Sequence, residues 1–279
     1  MDVHSSRFEI EYEDEPGRAI RGVVERPAAE LEEPLPWLLL VHGFKGFMDW
    51  GFIPLFSRGL ASTGFCVVRC NLSGSGVGAD GVDFSDLGAF AKDTYGRQLE
   101  DKARVYNAVR SGELGAVDPE RCGFFGHSRG GGMGIVHAAD HPYKAVVTWA
   151  AIDDADRFGA EAKQLWREQG YLDIPNLRTG QTMRMDVGGL DDFEAHADRY
   201  DILAAASRVE APTLVVHGTA DETVGVEAAD RLASALPNGR KLILEGAGHT
   251  LEATHPLTSV PPALGNALAA TTEHFLTHT

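Results

Sequence analysis

The chain has 279 residues, 43% hydrophobic and 24% charged. That mix supports one large α/β domain or two small ones and excludes global disorder. Its 41 acidic and 25 basic side chains leave a net charge of −16, which excludes a duplex-binding face and disfavours polyanionic substrates. The acidity reads as a solubility feature, so no nucleic-acid partner is expected.

A chain of this length buries enough surface to need neither disulfide nor metal. Its three cysteines, Cys66, Cys70 and Cys122, form no CxxC and lie in or beside apolar runs. They read as buried free thiols in a reducing compartment. Met1 to Asp14 is acidic and polar, without the basic and apolar regions of a signal peptide. No apolar run approaches the roughly 18 residues of a spanning helix. A soluble cytoplasmic protein with no membrane partner is the expectation.

In chain order, residues 8–12 and 20–26 flank Glu15-Pro16-Gly17 and predict an antiparallel hairpin. The apolar run 37–42, ending at Gly43, predicts a buried parallel strand. A helix over 53–63 and a strand over 65–70 follow, then a Gly/Ser-rich loop from Asn71 to Gly81. Leu99, Ala103, Tyr106 and Val109 carry helical spacing within 93–111. Strand 121–125 runs directly into a helix beginning near Ser128, and strand 144–150 comes next.

From Asp153 to Ala206 the chain is more polar and less regular. It predicts a helix over 160–169, a Pro- and Gly-marked segment from Ile174 to Gly180, a short strand over 182–187 and a helix over 191–206. Strand 213–217, helix 226–235, strand 241–245 and helix 263–276 complete the chain. The alternation predicts a mostly parallel sheet covered on both faces. The core is assigned to 1–152 and 207–279, with 153–206 as a cap insertion.

Gly126-His127-Ser128-Arg129-Gly130 matches G-x-S-x-G, with an apolar strand before it and a helix of small residues after it. Such a strand-to-helix turn holds the Ser in a strained conformation and projects its Oγ beyond the sheet. Glycines two positions either side let strand and helix approach. A Ser hydroxyl needs a base to take its proton, and in this arrangement the partners follow in the order Ser, acid, His. His217-Gly218-Thr219-Ala220-Asp221 and Gly246-Ala247-Gly248-His249 each end a strand, the edge where open α/β sheets bind ligands. Ser128 is therefore the candidate nucleophile, His249 the base and Asp221 the orienting acid. Glu222, Asp153, Asp154 and Asp156 are rival acids.

An oxyanion needs donors: the backbone N–H of Arg129, and that of Phe44 with Lys45 as the adjacent alternative. Phe44 is also a candidate wall of the acyl pocket, and His42 reads as a packed residue shaping its loop. Trp149, Trp166 and Tyr171 either pack the insertion on the core or line the substrate pocket. Gly76-Val77-Gly78-Ala79-Asp80-Gly81 matches G-x-G-x-x-G, but no helix opens after it, so no dinucleotide cofactor is expected. His196 with Glu194 and Asp198 at i, i+2 spacing does not make a metal site.

Together, His42-Gly43-Phe44, the Ser128 motif, the Asp221 turn and the His249 loop resemble the α/β-hydrolase superfamily. The resemblance is to its dienelactone-hydrolase-like, prolyl-oligopeptidase-like and cinnamoyl (feruloyl) esterase branch, from strand 37–42 to the last helix. Members often carry an Asp-x-Arg-Gly-x-Gly-like loop where this chain has Asn71-Leu72-Ser73-Gly74-Ser75-Gly76. Dienelactone hydrolases proper use Cys where Ser128 stands. The resemblance implies a serine esterase that forms an acyl-enzyme on Ser128, needs no cofactor and takes a small-molecule ester. A homodimer is left open. The apolar residues of the insertion, among them Phe158, Leu165, Trp166, Tyr171, Ile174 and Met183, suggest an apolar or aryl acyl group. The rival readings are a peptidase or amidase with the same triad and a ligand-binding protein with little turnover. Oligopeptidases of this type would carry an added propeller-like domain, for which this sequence has no counterpart.

Overall fold

The computed structural model describes residues 2–29 and 33–279. The leading hairpin is β1 (Val3–Glu11) and β2 (Ala19–Pro27), antiparallel in the register Val3 opposite Pro27 to Glu11 opposite Ala19. The core strands are β3 (Trp37–Val41), β4 (Cys66–Asn71), β5 (Cys122–His127) and β6 (Ala145–Trp149). Two strands of the insertion, β7 (Tyr171–Asn176) and β8 (Gln181–Asp186), precede β9 (Thr213–Gly218) and β10 (Gly239–Leu244). The main sheet has eight strands in the order β1-β2-β4-β3-β5-β6-β9-β10. The β1–β2 and β2–β4 pairs are antiparallel, and every pair from β4 to β10 is parallel.

Helices cover both faces, as the alternating pattern requires. The period-two geometry of a strand divides its side chains between them. Trp37, Leu39 and Val41 join the core under α3 (Tyr95–Arg110), α4 (Arg129–Asp140) and α8 (Glu227–Ala235). Leu38 and Leu40 join the core under α1 (Ile53–Ser62) and α9 (Pro262–His278). The three cysteines are free and buried, and among the described residues no helix is long and apolar enough to cross a membrane.

Between β6 and β9 the chain forms α5 (Ala160–Gln169), the antiparallel β7–β8 pair and α6 (Gly188–Ala195). The Pro- and Gly-marked segment is thus β7 and its turn: Pro175 sits on a two-stranded sheet, where a missing N–H is tolerated at an edge. The helix expected over 191–206 is three pieces. His196 leaves helical geometry at φ −129°, a 3₁₀ turn spans Ala197–Tyr200, and the Asp201 carboxylate accepts from Ala204 N–H at 2.9 Å to start a new helix, α7 (Ile202–Ala206). Asp at an N-cap satisfies an orphan amide, so the break is written locally.

The insertion has its own apolar cluster. Trp166, Ile174, Met183, Met185 and Leu190 pack on Phe47, Val77 and Phe84 of the core loops and on Phe90 of α2 (Leu87–Ala91). Trp166 is 2% exposed and donates its indole N–H to the Met185 carbonyl at 3.1 Å. A side chain buried to that extent contributes roughly 2–3 kcal/mol.

Glycine substitutions separate propensity from packing. Gly59 on α1 has open space where a Cβ would go, whereas a Cβ on Gly130 in α4 would sit inside the van der Waals shell of the His42 carbonyl. Gly59→Ala is expected to stabilise by about 0.5–1 kcal/mol. Gly130→Ala is expected to lose more than that gain, by about 1–3 kcal/mol of overpacking. Thermal denaturation checks both; an equal rise in Tm would show that α4 can move away from β3.

Candidate active site

The turn from β5 to α4 is built by close approach. A Cβ on Gly126 would lie 2.5 Å from the Gly130 carbonyl oxygen, and one on Gly43 would lie 2.9 Å from Ser128 Cβ. Ser128 itself adopts φ +55°, ψ −122°, a region that costs an L-residue of order 1–3 kcal/mol. Its neighbours hold it there. Ser128 N–H donates to the Trp149 carbonyl at 2.8 Å, and the Ser128 carbonyl accepts from Gly131 and Gly132 at 3.0 Å each and from Ile152 at 3.3 Å.

The three residues expected to act together are in one hydrogen-bonded chain. His249 Nδ1 lies 2.7 Å from Asp221 Oδ2, and His249 Nε2 lies 3.0 Å from Ser128 Oγ. A carboxylate only accepts, so Nδ1 carries the proton and Nε2 is left to accept from the Ser hydroxyl. Asp221 Oδ1 accepts from the amides of Thr223 and Val224 at 2.8 and 2.9 Å. The His217 imidazole, fully buried, stands 3.3 Å from Asp221 Oδ2 and 2.8 Å from the Val224 carbonyl. Burial alone would raise the Asp221 pKa, but the hydrogen bonds from His217, His249 and Val224 outweigh it and hold the carboxyl well below the usual range.

The acid and histidine loops are tied together. Ala220 N–H donates to the Ala247 carbonyl at 2.9 Å, and Gly246 N–H donates to Thr219 Oγ1 at 2.8 Å. Three of the four rival acids are otherwise engaged and the fourth faces solvent. Asp153 is ion-paired with Arg231, Asp154 accepts from Asp156 N–H, Asp156 pairs with Lys163, and Glu222 is exposed.

His127, not singled out by the sequence, supports the loop from beneath. Its Nε2–H donates to the His249 carbonyl at 2.9 Å, and its ring meets the His249 ring edge-on at 4.9 Å. Burial, with the nearby His249, lowers its pKa to about 3. His42 is buried beside the carbonyl of Gly43 at 2.8 Å, and burial lowers it to about 4, as suits a residue shaping its loop.

Ser128 opens into a cleft. Its walls include Phe44, Trp50, Phe52 and Ile53, with Lys45 and Arg178 as its cations. Arg129 is the first residue of α4, where a backbone N–H has no intrahelical partner. Its guanidinium lies 3.7 Å over the Phe44 ring, and that ring stacks on Phe90 at 5.5 Å. Beneath, Arg129 reaches Asp93 at 3.9 Å, a carboxyl that burial raises to about 6.

The aromatic residues expected near substrate divide. Trp149 is a correction: it is fully buried, bonded to Thr271 Oγ1 at 2.9 Å and packed among Phe52, Phe56 and Phe125. It ends β6 with its side chain on the α1/α9 face, so it lies behind the cleft wall. Trp166 lines a different, narrow cavity beneath the insertion with Arg129 and Phe158. Tyr171 sits on β7 under the Arg184 guanidinium at 3.6 Å, and the walls of neither cavity include it. Only Phe44 of the four lines the Ser128 cleft.

The buried histidines give a signed pH dependence. The ordinary histidine pKa is 6.5. Below it the unfolded chain takes protons that folded His42 and His127 refuse until about pH 4 and 3. Their contribution is therefore complete above pH 6.5 and is lost as pH falls toward 3. Asp93, raised to about 6 by burial, works in the opposite sense, but it is one group against these two and His137, His255 and His274, which burial also lowers. Scanning calorimetry should show Tm falling steadily from pH 7 to 4; a Tm that holds or rises over that range would contradict neutral burial of these rings.

Comparison with known proteins places this geometry. The model of the prolyl oligopeptidase family matches residues 55–254, a span that contains Ser128, Asp221 and His249. The uncharacterized peptidase YuxL of Bacillus subtilis (strain 168) is 31% identical over 257 residues, covering 89% of this chain and 36% of YuxL. A putative carbamate hydrolase RutD of Pseudomonas syringae is 28% identical over 172 residues, covering 52% of this chain and 66% of that protein. The chain thus spans about a third to two thirds of these relatives. Among solved structures, Est1E from Butyrivibrio proteoclasticus superposes with TM-score 0.71 at 17% identity, covering 97% of this chain and 98% of Est1E. A Mycobacterium tuberculosis puromycin-hydrolyzing peptidase superposes at 0.66 with 22% identity, covering 98% of this chain and 39% of that one. The chain belongs to the prolyl oligopeptidase family and has the fold of the α/β-hydrolase superfamily.

Proposed function

We propose that this chain is a serine hydrolase that cleaves small to medium carboxylic esters through an acyl-enzyme on Ser128. The observation that carries the reading is the hydrogen-bonded chain Ser128–His249–Asp221 at 3.0 and 2.7 Å, opening into a cleft with apolar walls. Ser128 Oγ attacks the ester carbonyl as its proton passes to His249 Nε2, and Asp221 stabilises the imidazolium. The oxyanion is met by the backbone N–H groups of Arg129 and Phe44. His249 then protonates the departing alkoxide. Water, deprotonated by His249, attacks the acyl group, and Ser128 regains its proton as the acid leaves.

Phe44, Trp50, Phe52 and Ile53 suit an aliphatic or aryl acyl chain, and the likeness to Est1E, seen also in its complex with ferulic acid, extends over nearly the whole of both chains. Amide or peptide cleavage is the second reading, favoured by family membership and by the peptidase names of two relatives. The same acyl-enzyme serves both; the leaving group decides.

A panel of p-nitrophenyl esters from acetate to octanoate, with methyl ferulate and a matched p-nitroanilide, tests the proposal. Ser128→Ala should lower kcat/KM on the order of 10⁴-fold or more, and Asp221→Asn should do so on the order of 10⁴-fold by favouring the wrong histidine tautomer. Ester turnover that survives Ser128→Ala would sink the mechanism; anilide turnover exceeding ester turnover would favour the amidase. Saturable binding of the esters without product would favour a ligand-binding protein. His127→Ala removes the donor that holds the His249 carbonyl. It should lower kcat on the order of tenfold with a smaller change in KM; a change in KM alone would instead place His127 in substrate binding.

A further inference from the structure

The Ser128 cleft carries an unbalanced charge. Lys45, from the loop after β3, and Arg178, from the turn between β7 and β8, both line it. No Asp or Glu is among its walls, although acidic side chains outnumber basic ones 41 to 25 in the chain. Neither cation forms an ion pair among the described residues: Lys45 Nζ donates to the Pro175 carbonyl at 2.9 Å, and Arg178 donates to the Lys45 carbonyl. Each contact satisfies one donor, leaving two on the ammonium and four on the guanidinium. Burial, the neighbouring Arg178 and Arg129 all act to lower the Lys45 pKa. Asp93, which lines a neighbouring cavity with Lys45, is committed to Arg129 and Gln98, and Asp49 to Arg69.

Two like charges brought together beside a hydrophobic wall repel one another, and the repulsion is relieved by an anion between them. Both hydrogen bonds run to neutral carbonyls, and Arg178 otherwise lies over the Phe47 and Phe84 rings at 5.9 and 5.8 Å, so neither cation meets a counter-charge there. From the cation pair on the Ser128 cleft we infer that the substrate carries a carboxylate remote from its scissile bond, as in the hemiester of a dicarboxylic acid. The inference rests on the hydrolase reading above and names the substrate class for that site. Lys45 and Arg178 bind the carboxylate, Phe44 and Trp50 contact the carbon chain, and Ser128 attacks the ester carbonyl at the other end. A local pair is needed because the net charge of −16 repels anions at a distance.

The test compares mono-p-nitrophenyl succinate, glutarate and adipate with the neutral butyrate, valerate and hexanoate. Acetylated 4-hydroxybenzoate against acetylated 4-cresol probes a carboxylate on the leaving group. In at least one pair the anionic ester should be preferred on the order of tenfold in kcat/KM, with the preference shrinking as salt is raised. Lys45→Gln with Arg178→Gln should bring that ratio to about one, each variant being judged against its own neutral ester. Equal use of charged and neutral esters in every pair, or a ratio that the double substitution leaves unmoved, would overturn the inference while leaving the hydrolase reading intact. Should no ester turn over, calorimetric titration of Ser128→Ala with monomethyl glutarate and methyl valerate still decides. Binding of the hemiester at least tenfold tighter, abolished by the two Gln substitutions, supports the inference, and equal binding refutes it.

Discussion

At Gly126, Ser128 and Gly130 the chain passes from strand to helix with no room for a Cβ on either flank, and nearly every feature of the site descends from that contact. Because α4 starts so close to β5 and β3, Ser128 is forced to φ +55°, and its side chain points away from the sheet. The first amides of α4 face the same space, so the positive end of the helix and the hydroxyl share one location. The loop after β3 lies directly on the turn, since a side chain on Gly43 would meet Ser128. Strain of about 1–3 kcal/mol is borne at the end of β5, a central strand paired on both sides.

The electrostatics around this turn follow from uneven burial. For His42 and His127 burial outweighs everything that favours the charged ring, the nearby Asp221 included at His127, and they stay neutral at working pH. Asp221 is enclosed too, but with two amides and two imidazoles facing it it stays ionised. His249 is the ring between these extremes, with one nitrogen on a fixed carboxylate and the other on the Ser hydroxyl. A proton that leaves Ser128 therefore has one acceptor in reach, and the charge it creates has one counter-charge already in place.

Much of this was legible in order along the chain. The glycine spacing around Ser128 and the turns holding Asp221 and His249 are local patterns, and sheet periodicity placed them on one edge. What failed was orientation. Trp149 lies one strand from Ser128, but strand alternation turns it to the α1/α9 face, and no motif states which face a terminal residue takes. The helix expected over 191–206 failed because Asp201 offers a cap in mid-run, which apolar spacing ignores. Lys45 and Arg178 were unreadable as a pair for a simpler reason: 133 residues separate them, and only the fold of the insertion brings them together.

That separation also bears on how specificity is distributed. The apolar residues of the insertion were read from sequence as a substrate surface, yet Trp166, Ile174, Met183 and Met185 are spent on attaching it to Phe47, Val77, Phe84 and Phe90. Its reach into the Ser128 cleft is Arg178, on the turn closed by Gly180 at φ +72°. A turn tip joins two paired strands without contributing to their packing, and its side chains can change at little cost to the hairpin. The strands and α5 hold the insertion down through buried area, while Arg178 at the tip both donates to the Lys45 carbonyl and brings a charge to the cleft. An insertion built in this way can alter what the cleft accepts through residues near 178 without disturbing the turn at Ser128, where no substitution of comparable size has room.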